Sequence, residues 1–339
     1  MKPLIIPIFI PHRGCPHRCV FCEQHTITAR KGQRTEPAHV ASVLKQAVAS
    51  ARFDVRRNPE AAFYGGTFTG LSKREMTELL KAVKPFMDDG LIRSIRVSTR
   101  PDALDPERLK VLKSQGVQTV ELGVQSMNDE VLGYSQRGHT SRDSVRAVQT
   151  LKEAGFRVGI QLMPGLPGDS EGVFAETVQS VLRLAPDMVR LYPAVVIRGT
   201  PLAHMYAQGR YRPLTLDEAV HCCMDATLRF ETRHIPVIRI GLHGSPSLVE
   251  EGQIVAGPWH PAFGFLVRSA IHHARIGSDL PRPGTAERIR LFAPQREIAL
   301  LRGHQNIGIR AVEHKTGSEV VEIIPDEAVP KGRVRVETA

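Results

Sequence analysis

The chain has 339 residues, 42% of them hydrophobic and 5% aromatic, with a formal net charge of +10 and five cysteines. That is enough apolar material for one large domain or a domain with an appendage, while an odd and small cysteine count argues against a disulfide framework. Residues 1–11 are broken by Pro3, Pro7 and Pro11 and lack a small-residue cleavage site, so they do not read as a signal peptide; no apolar run approaches a membrane span, and a cytoplasmic, reducing setting is expected.

In chain order, residues 4–10 form a β-branched run and predict a buried strand. A loop holding Cys15, Cys19 and Cys22 follows directly. Val40, Val43, Leu44, Ala47 and Val48 give residues 36–52 a helical period. Residues 61–64 predict a strand stopped by Gly65-Gly66, and 71–86 an amphipathic helix whose Ser72 and Glu75 form a capping signature. A strand over 95–98 precedes a helix over 105–115 with Pro106 at its first position. Strand 118–124 is followed by a second capping signature, Thr140 with Asp143, opening a helix to 154. Strand 157–163, helix 171–184 and strand 188–196 complete the series, and a helix over 217–229 leads to a strand over 237–242. Strands alternating with helices predict βαβ units and a parallel sheet. In such sheets the chemistry sits at the carboxyl ends of the strands, where the cysteine loop also emerges.

The cysteines are spaced C-x3-C-x2-C, with aromatic Phe21 before the last. Iron–sulfur clusters are usually held by four cysteines. Three leave one iron open, and an open coordination position is where a ligand or substrate binds. The rival is a Cys3His zinc site completed by His17 or His25, although no second cysteine pair stands at finger spacing. Cys222 and Cys223 are adjacent in a helical pattern, so at least one is expected to be buried and inert. His12, His17, His25 and His139 are expected to be hydrogen-bonding loop residues.

The cysteine stretch, the Gly65-Gly66-Thr67 turn and the alternating strands resemble the radical S-adenosylmethionine (SAM) superfamily. More narrowly, the chain resembles the radical SAM core of the Elongator catalytic subunit. The shared stretches are Phe63-Tyr64-Gly65-Gly66-Thr67-Phe68, Thr99-Arg100-Pro101-Asp102, Glu121-Leu122-Gly123-Val124-Gln125-Ser126, Arg137-Gly138-His139-Thr140, Met163-Pro164-Gly165-Leu166-Pro167, Leu191-Tyr192-Pro193, Val196-Ile197-Arg198-Gly199-Thr200 and Gly209-Arg210-Tyr211. They span about residues 8–242. The Elongator subunit carries an acetyltransferase domain after this core, for which the present chain has no room.

The resemblance implies an incomplete parallel (β/α)6 TIM-type barrel and an enzyme. Cys15, Cys19 and Cys22 would ligate a [4Fe–4S] cluster that binds SAM and generates a 5′-deoxyadenosyl radical. Phe21 would lie against adenine. Gly65 and Gly66 would admit the methionyl amino group, with Thr67 adding an oxygen. Gln125 and Ser126 would meet the ribose or carboxylate, and Met163 would pack on adenine. Arg100 would be either a contact to the SAM carboxylate or a surface cation before Pro101, and Tyr192 would stand near the mouth. Implied partners are a tRNA or other RNA substrate and an electron donor such as flavodoxin or ferredoxin, with no membrane.

The expected organisation is a core over 1–244, an irregular extension over 245–284 and a small α/β domain over 285–339. In the last, Arg302-Gly303-His304-Gln305-Asn306 stands between two helical patterns, followed by a strand over 320–324. That order is similar to a KH unit, whose GxxG turn clamps nucleotides. Asn306 replaces the second glycine and tolerates unusual backbone angles. The net charge of +10 fits the same anionic partner. The alternatives are a radical SAM enzyme acting on a small molecule or protein, and a zinc-stabilised RNA-binding protein without enzymatic activity.

Overall fold

A computed structural model describes residues 3–16, 18–28, 35–242 and 244–339, without the side chains of residues 25 and 28. The chain forms two compact units: one runs to Ala219 and includes Arg229–Trp259, and the other comprises Val220–Leu228 and His260–Ala339.

The first unit begins with β1 (Ile5–Ile10), α1 (Gln24–Thr28), α2 (Pro37–Val48), β2 (Glu60–Gly65), α3 (Lys73–Lys81), α4 (Lys84–Asp88), β3 (Ser94–Thr99), α5 (Pro106–Ser114) and β4 (Val117–Gln125). It continues through α6 (Asp129–Tyr134), α7 (Ser141–Glu153), β5 (Arg157–Leu162), α8 (Glu171–Leu184), β6 (Met188–Leu191), β7 (Val196–Ile197), α9 (Pro201–Ala207), α10 (Leu216–Thr232, shared between the units), β8 (Val237–Ile240) and β9 (Ile254–Ala256). Among the described residues seven strands form one sheet in the order β1-β2-β3-β4-β5-β6-β8. Every neighbouring pair is parallel. The expected α/β half-barrel is therefore present, and the strand read over 237–242 adds a seventh member to its sheet.

Local chemistry sets the element ends. Ser72 accepts from the Glu75 N–H, and Glu75 reaches back to the Ser72 N–H; Thr140 and Asp143 do the same for α7. The single helix expected over 71–86 is two, α3 and α4, because Pro85 cannot supply the N–H that would continue the ladder. The strand expected over 188–196 likewise breaks after Leu191, where Tyr192-Pro193 separates β6 from the short β7.

Side chains alternate between the two faces of the sheet. Ile95, Val97, Val120, Leu122, Val158 and Ile160 are buried on one face. The other face is polar. Arg96 there is 2% exposed, Glu121 5% and Glu60 6%. Arg96 donates from Nε to Glu60 (2.9 Å) and from Nη1 to Glu121 and to Met188 Sδ (3.2 Å). Nearer the carboxyl ends, Arg190 donates to Glu121 (3.0 Å) and to the hydroxyls of Tyr64 (2.5 Å) and Tyr192 (2.9 Å). Tyr64, Arg190 and Tyr192 are all partly exposed.

The expected irregular extension over 245–284 has two parts. Residues up to 259 stay with the first unit, where β9 pairs antiparallel with β7. Residues 263–276 form α11 (Phe263–Ile276) of the second unit, followed by β10 (Arg288–Ala293), α12 (Ile298–Arg302), α13 (Ile307–Thr316), β11 (Glu319–Pro325) and β12 (Arg335–Thr338). β10 pairs parallel with β11 and antiparallel with β12. Ile276, Ile289, Leu291, Leu301 and Val312 form the core of this unit. Between α12 and α13, Gly303, Gln305 and Asn306 all have positive φ. Cys223 on α10 is fully buried, and burial pushes its thiol well above the ordinary range, as expected of an inert cysteine.

Candidate functional site

The cysteine turn leaves β1 and packs against the turn that leaves β2. Three glycines make that contact, all backbone to backbone. A Cβ on Gly66 would lie 2.0 Å from Arg13 O, one on Gly14 2.1 Å from Thr67 O, and one on Gly70 2.1 Å from Gly14 O. Thr67 N donates to Arg13 O (2.7 Å), and Gly66 N to Ile10 O (3.1 Å). Gly66 is therefore demanded by the protein backbone itself, before any ligand is considered. His12 accepts from Gln24 N at 3.0 Å, a loop role as expected. His17 lies outside the described residues, as does the side chain of His25.

Cys15, Cys19 and Cys22 are free thiols near enough to act on one another electrostatically. Burial pushes Cys15 up, partly offset by Thr67, whose Oγ1 lies 3.2 Å from the Cys15 sulfur. Burial, then Cys19 and Cys15, pushes Cys22 up to about 12. Among the described residues no trio of His, Cys, Asp or Glu is already drawn into a metal-holding group. The donor set nevertheless suits iron–sulfur chemistry: three sulfurs on one turn, each with a hydrogen-bonding neighbour, Thr67 at Cys15, Arg137 at Cys19 and Gln24 at Cys22. Binding there displaces thiol protons.

The remaining expected residues fall into two groups. Phe21 and Met163 pack against one cluster formed by Val131, Leu166 and Ala194. Gln125 ends β4 with φ of 71° and accepts from Gln161 Nε2 (3.2 Å). The Ser126 hydroxyl accepts from Asn128 N (3.1 Å) and meets Thr177 Oγ1 (3.3 Å). The Thr67 hydroxyl meets the Cys15 sulfur (3.2 Å). Arg100 spends its fork on Asp102 at 2.9 and 2.8 Å.

Arg137 lies in the shared stretch Arg137-Gly138-His139-Thr140. Its Nη1 donates to Cys19 Sγ at 2.9 Å and its Nη2 to Gly123 O at 2.5 Å. His139 on the same segment meets Val124 O at 3.3 Å, and burial, with the Arg137 and Arg100 charges, lowers it to about 4, leaving it neutral at pH 7.

Comparison with known proteins agrees with this geometry. The description "Radical SAM superfamily" matches residues 9–181, and "Radical_SAM C-terminal domain" matches 186–273. The chain belongs to the radical SAM superfamily. Members of that superfamily are enzymes, and membership implies a [4Fe–4S] cluster and SAM. A tRNA uridine(34) acetyltransferase of Methanocaldococcus jannaschii is 37% identical over 127 residues, which cover 37% of this chain and 24% of that protein. Human Elongator complex protein 3 is 26% identical over 280 residues, 77% of this chain and 44% of that protein. This chain thus spans less than half the length of either relative. The solved archaeal Elp3 of Methanocaldococcus infernus, with an N-terminal deletion, superposes with a TM-score of 0.62 at 22% identity, covering 81% of this chain and 64% of that one; this shows a shared fold. Among the described residues no helix is long and apolar enough to cross a membrane.

The loop after β5 is clamped at both backbone polar groups of Gly165. Asp169 accepts from Gly165 N (2.9 Å) and Ser170 N (3.0 Å), and Tyr211 donates to Gly165 O (2.6 Å). Burial raises the Asp169 carboxyl to about 6, against those two N–H groups. A raised carboxyl binds its proton more tightly in the folded chain. Its stabilising contribution is complete below about pH 4 and is lost as pH rises through 6. Denaturant titrations of wild type and Asp169→Asn should show their stability difference moving against wild type by about 2 kcal/mol between pH 4 and 7. A flat difference curve would contradict this.

Proposed function

We propose that this chain is a radical SAM enzyme that binds a [4Fe–4S] cluster through Cys15, Cys19 and Cys22 and modifies an RNA base, with tRNA the favoured substrate. The observation that carries the reading is the three-cysteine turn lying inside the superfamily match, with Thr67 and Arg137 against two of its sulfurs. Cys15, Cys19 and Cys22 would hold the cluster, which, reduced by a low-potential donor such as flavodoxin or ferredoxin, would supply the one electron needed to cleave SAM into methionine and a hydrogen-abstracting 5′-deoxyadenosyl radical.

The chain's own residues then bind and orient. Phe21 and Met163 share one apolar wall and suit the adenine face. Gly65, with φ of 92° and no side chain, leaves room for the amino end of SAM, while Gly66 fixes the turn behind it. Gln125 offers the polar contact in its loop, and Ser126 supports that loop. Arg190 uses the Tyr64 and Tyr192 hydroxyls as acceptors, leaving each phenol a proton to donate to substrate.

The RNA reading is supported by the net charge of +10, by relatives named as tRNA-modifying enzymes, and by the βααβ order of the second unit with its left-handed Gly303–Asn306 turn. Anaerobic reconstitution tests the whole. Expected results are bound iron and sulfide, a broad visible absorption, and dithionite-driven 5′-deoxyadenosine formation that Cys19→Ala abolishes. RNA nucleosides from cells with and without the protein should differ in one modified base. A chain holding one zinc and no iron or sulfide would overturn the reading.

A further inference from the structure

We infer that Arg137 is a positioning residue for the cysteine site, one that donates to the Cys19 sulfur and so makes the bound cluster easier to reduce. The inference rests on the cluster reading above and adds a residue to it. Arg137 is 6% exposed, as is Cys19. Its guanidinium is a permanent cation with donors in a rigid fork. One prong meets Cys19 Sγ and the other Gly123 O at the end of β4. Its carbon also lies 6.0 Å from the centre of the Phe21 ring, one residue before Cys22.

The backbone delivers this side chain deliberately. Gln136 (φ 50°) and Gly138 (φ 71°) flank it in the left-handed region, and Ser135 O accepts from Val20 N at 3.2 Å, joining the segment to the cysteine turn. A left-handed Gln costs free energy, on the order of 1 kcal/mol, that the surrounding contacts must offset. Arg100 also acts by charge on Cys15, but its hydrogen bonds go to Asp102. Of the two, it is Arg137 that donates a guanidinium N–H to a cysteine sulfur.

Adding an electron to a cluster makes its sulfurs more negative. A cationic N–H on one of them stabilises the reduced form over the oxidised form and raises the potential. Removing the contact must lower it. A purely structural Arg137 would alter yield or stability without moving the potential.

The test uses the full chain, reconstituted anaerobically without SAM. Iron, sulfide and visible absorption are measured first, then the fraction reduced is followed by electron paramagnetic resonance against ambient potential. For Arg137→Leu at full cluster occupancy, the ratio of reduced to oxidised cluster at fixed potential should fall at least tenfold, about 59 mV for a one-electron couple. Arg137→Lys, which keeps the charge and loses the fork, should fall by less. The surface variant Arg146→Leu should match wild type. Wild-type potentials in Arg137→Leu would overturn the inference. If that variant takes up no cluster, Arg137→Lys decides: a lowered potential supports the inference, and an unchanged one overturns it. Wild-type protein that takes up no cluster would instead overturn the cluster reading itself.

Discussion

Gly66→Ala is expected to cost the protein its cluster. The new methyl would sit 2.0 Å from Arg13 O, 2.7 Å from Arg13 N and 2.8 Å from Ile10 O. All three are backbone atoms between β1 and the first cysteine, so no side chain can swing aside. Overpacking of this kind costs roughly 1–3 kcal/mol where neighbours can yield, and more where they cannot. The turn after β2 must retreat, taking with it Thr67 and its contact to Cys15. After reconstitution and desalting, iron per chain should fall at least tenfold relative to wild type. Gly172→Ala is the matched control: nothing lies within 4 Å of the added carbon, and alanine favours a helix by up to about 1 kcal/mol. Equal iron in the two variants would show that the glycine contact is dispensable.

Arg96→Met should destabilise the first unit by about 3–5 kcal/mol, the usual cost of breaking a buried ion pair from one side. Glu121 keeps Arg190, but Glu60 is left buried without its cation. Glu60→Gln/Arg96→Met should recover part of the loss, because no uncompensated charge then remains. Urea unfolding of the cluster-free protein at pH 7, on the single and the double variant, checks both arms. A loss under 1 kcal/mol would mean that water reaches Glu60 despite its burial.

What the sequence made legible was local. The capping pairs Ser72–Glu75 and Thr140–Asp143, the Pro106 start of α5, and the spacing of the three cysteines are each short-range features of the chain. The parallel sheet was legible because alternation of strand and helix leaves few other packings. What escaped was long-range. Arg137 and Cys19 are 118 positions apart, and nothing near either announces the other. β7 and β9 are too short to carry a period, so residues 245–259 read as irregular. The chain did carry a signal for the polar face: Arg96, Glu121 and Arg190 are charges in mid-strand, flanked by Ile95 and Val97, by Val120 and Leu122, and by Val189 and Leu191. A charge in such a setting must find a partner, but the sequence does not say which.

The interlocking of Gly14, Gly66 and Gly70 has a consequence for how the protein withstands air. The cysteine turn is held by peptide contacts that run from Ile10, Arg13 and Gly14 to Gly66, Thr67 and Gly70, so a cluster lost to oxygen would leave those contacts in place. Fresh iron and sulfide should then restore iron binding to the same polypeptide without an unfolding step.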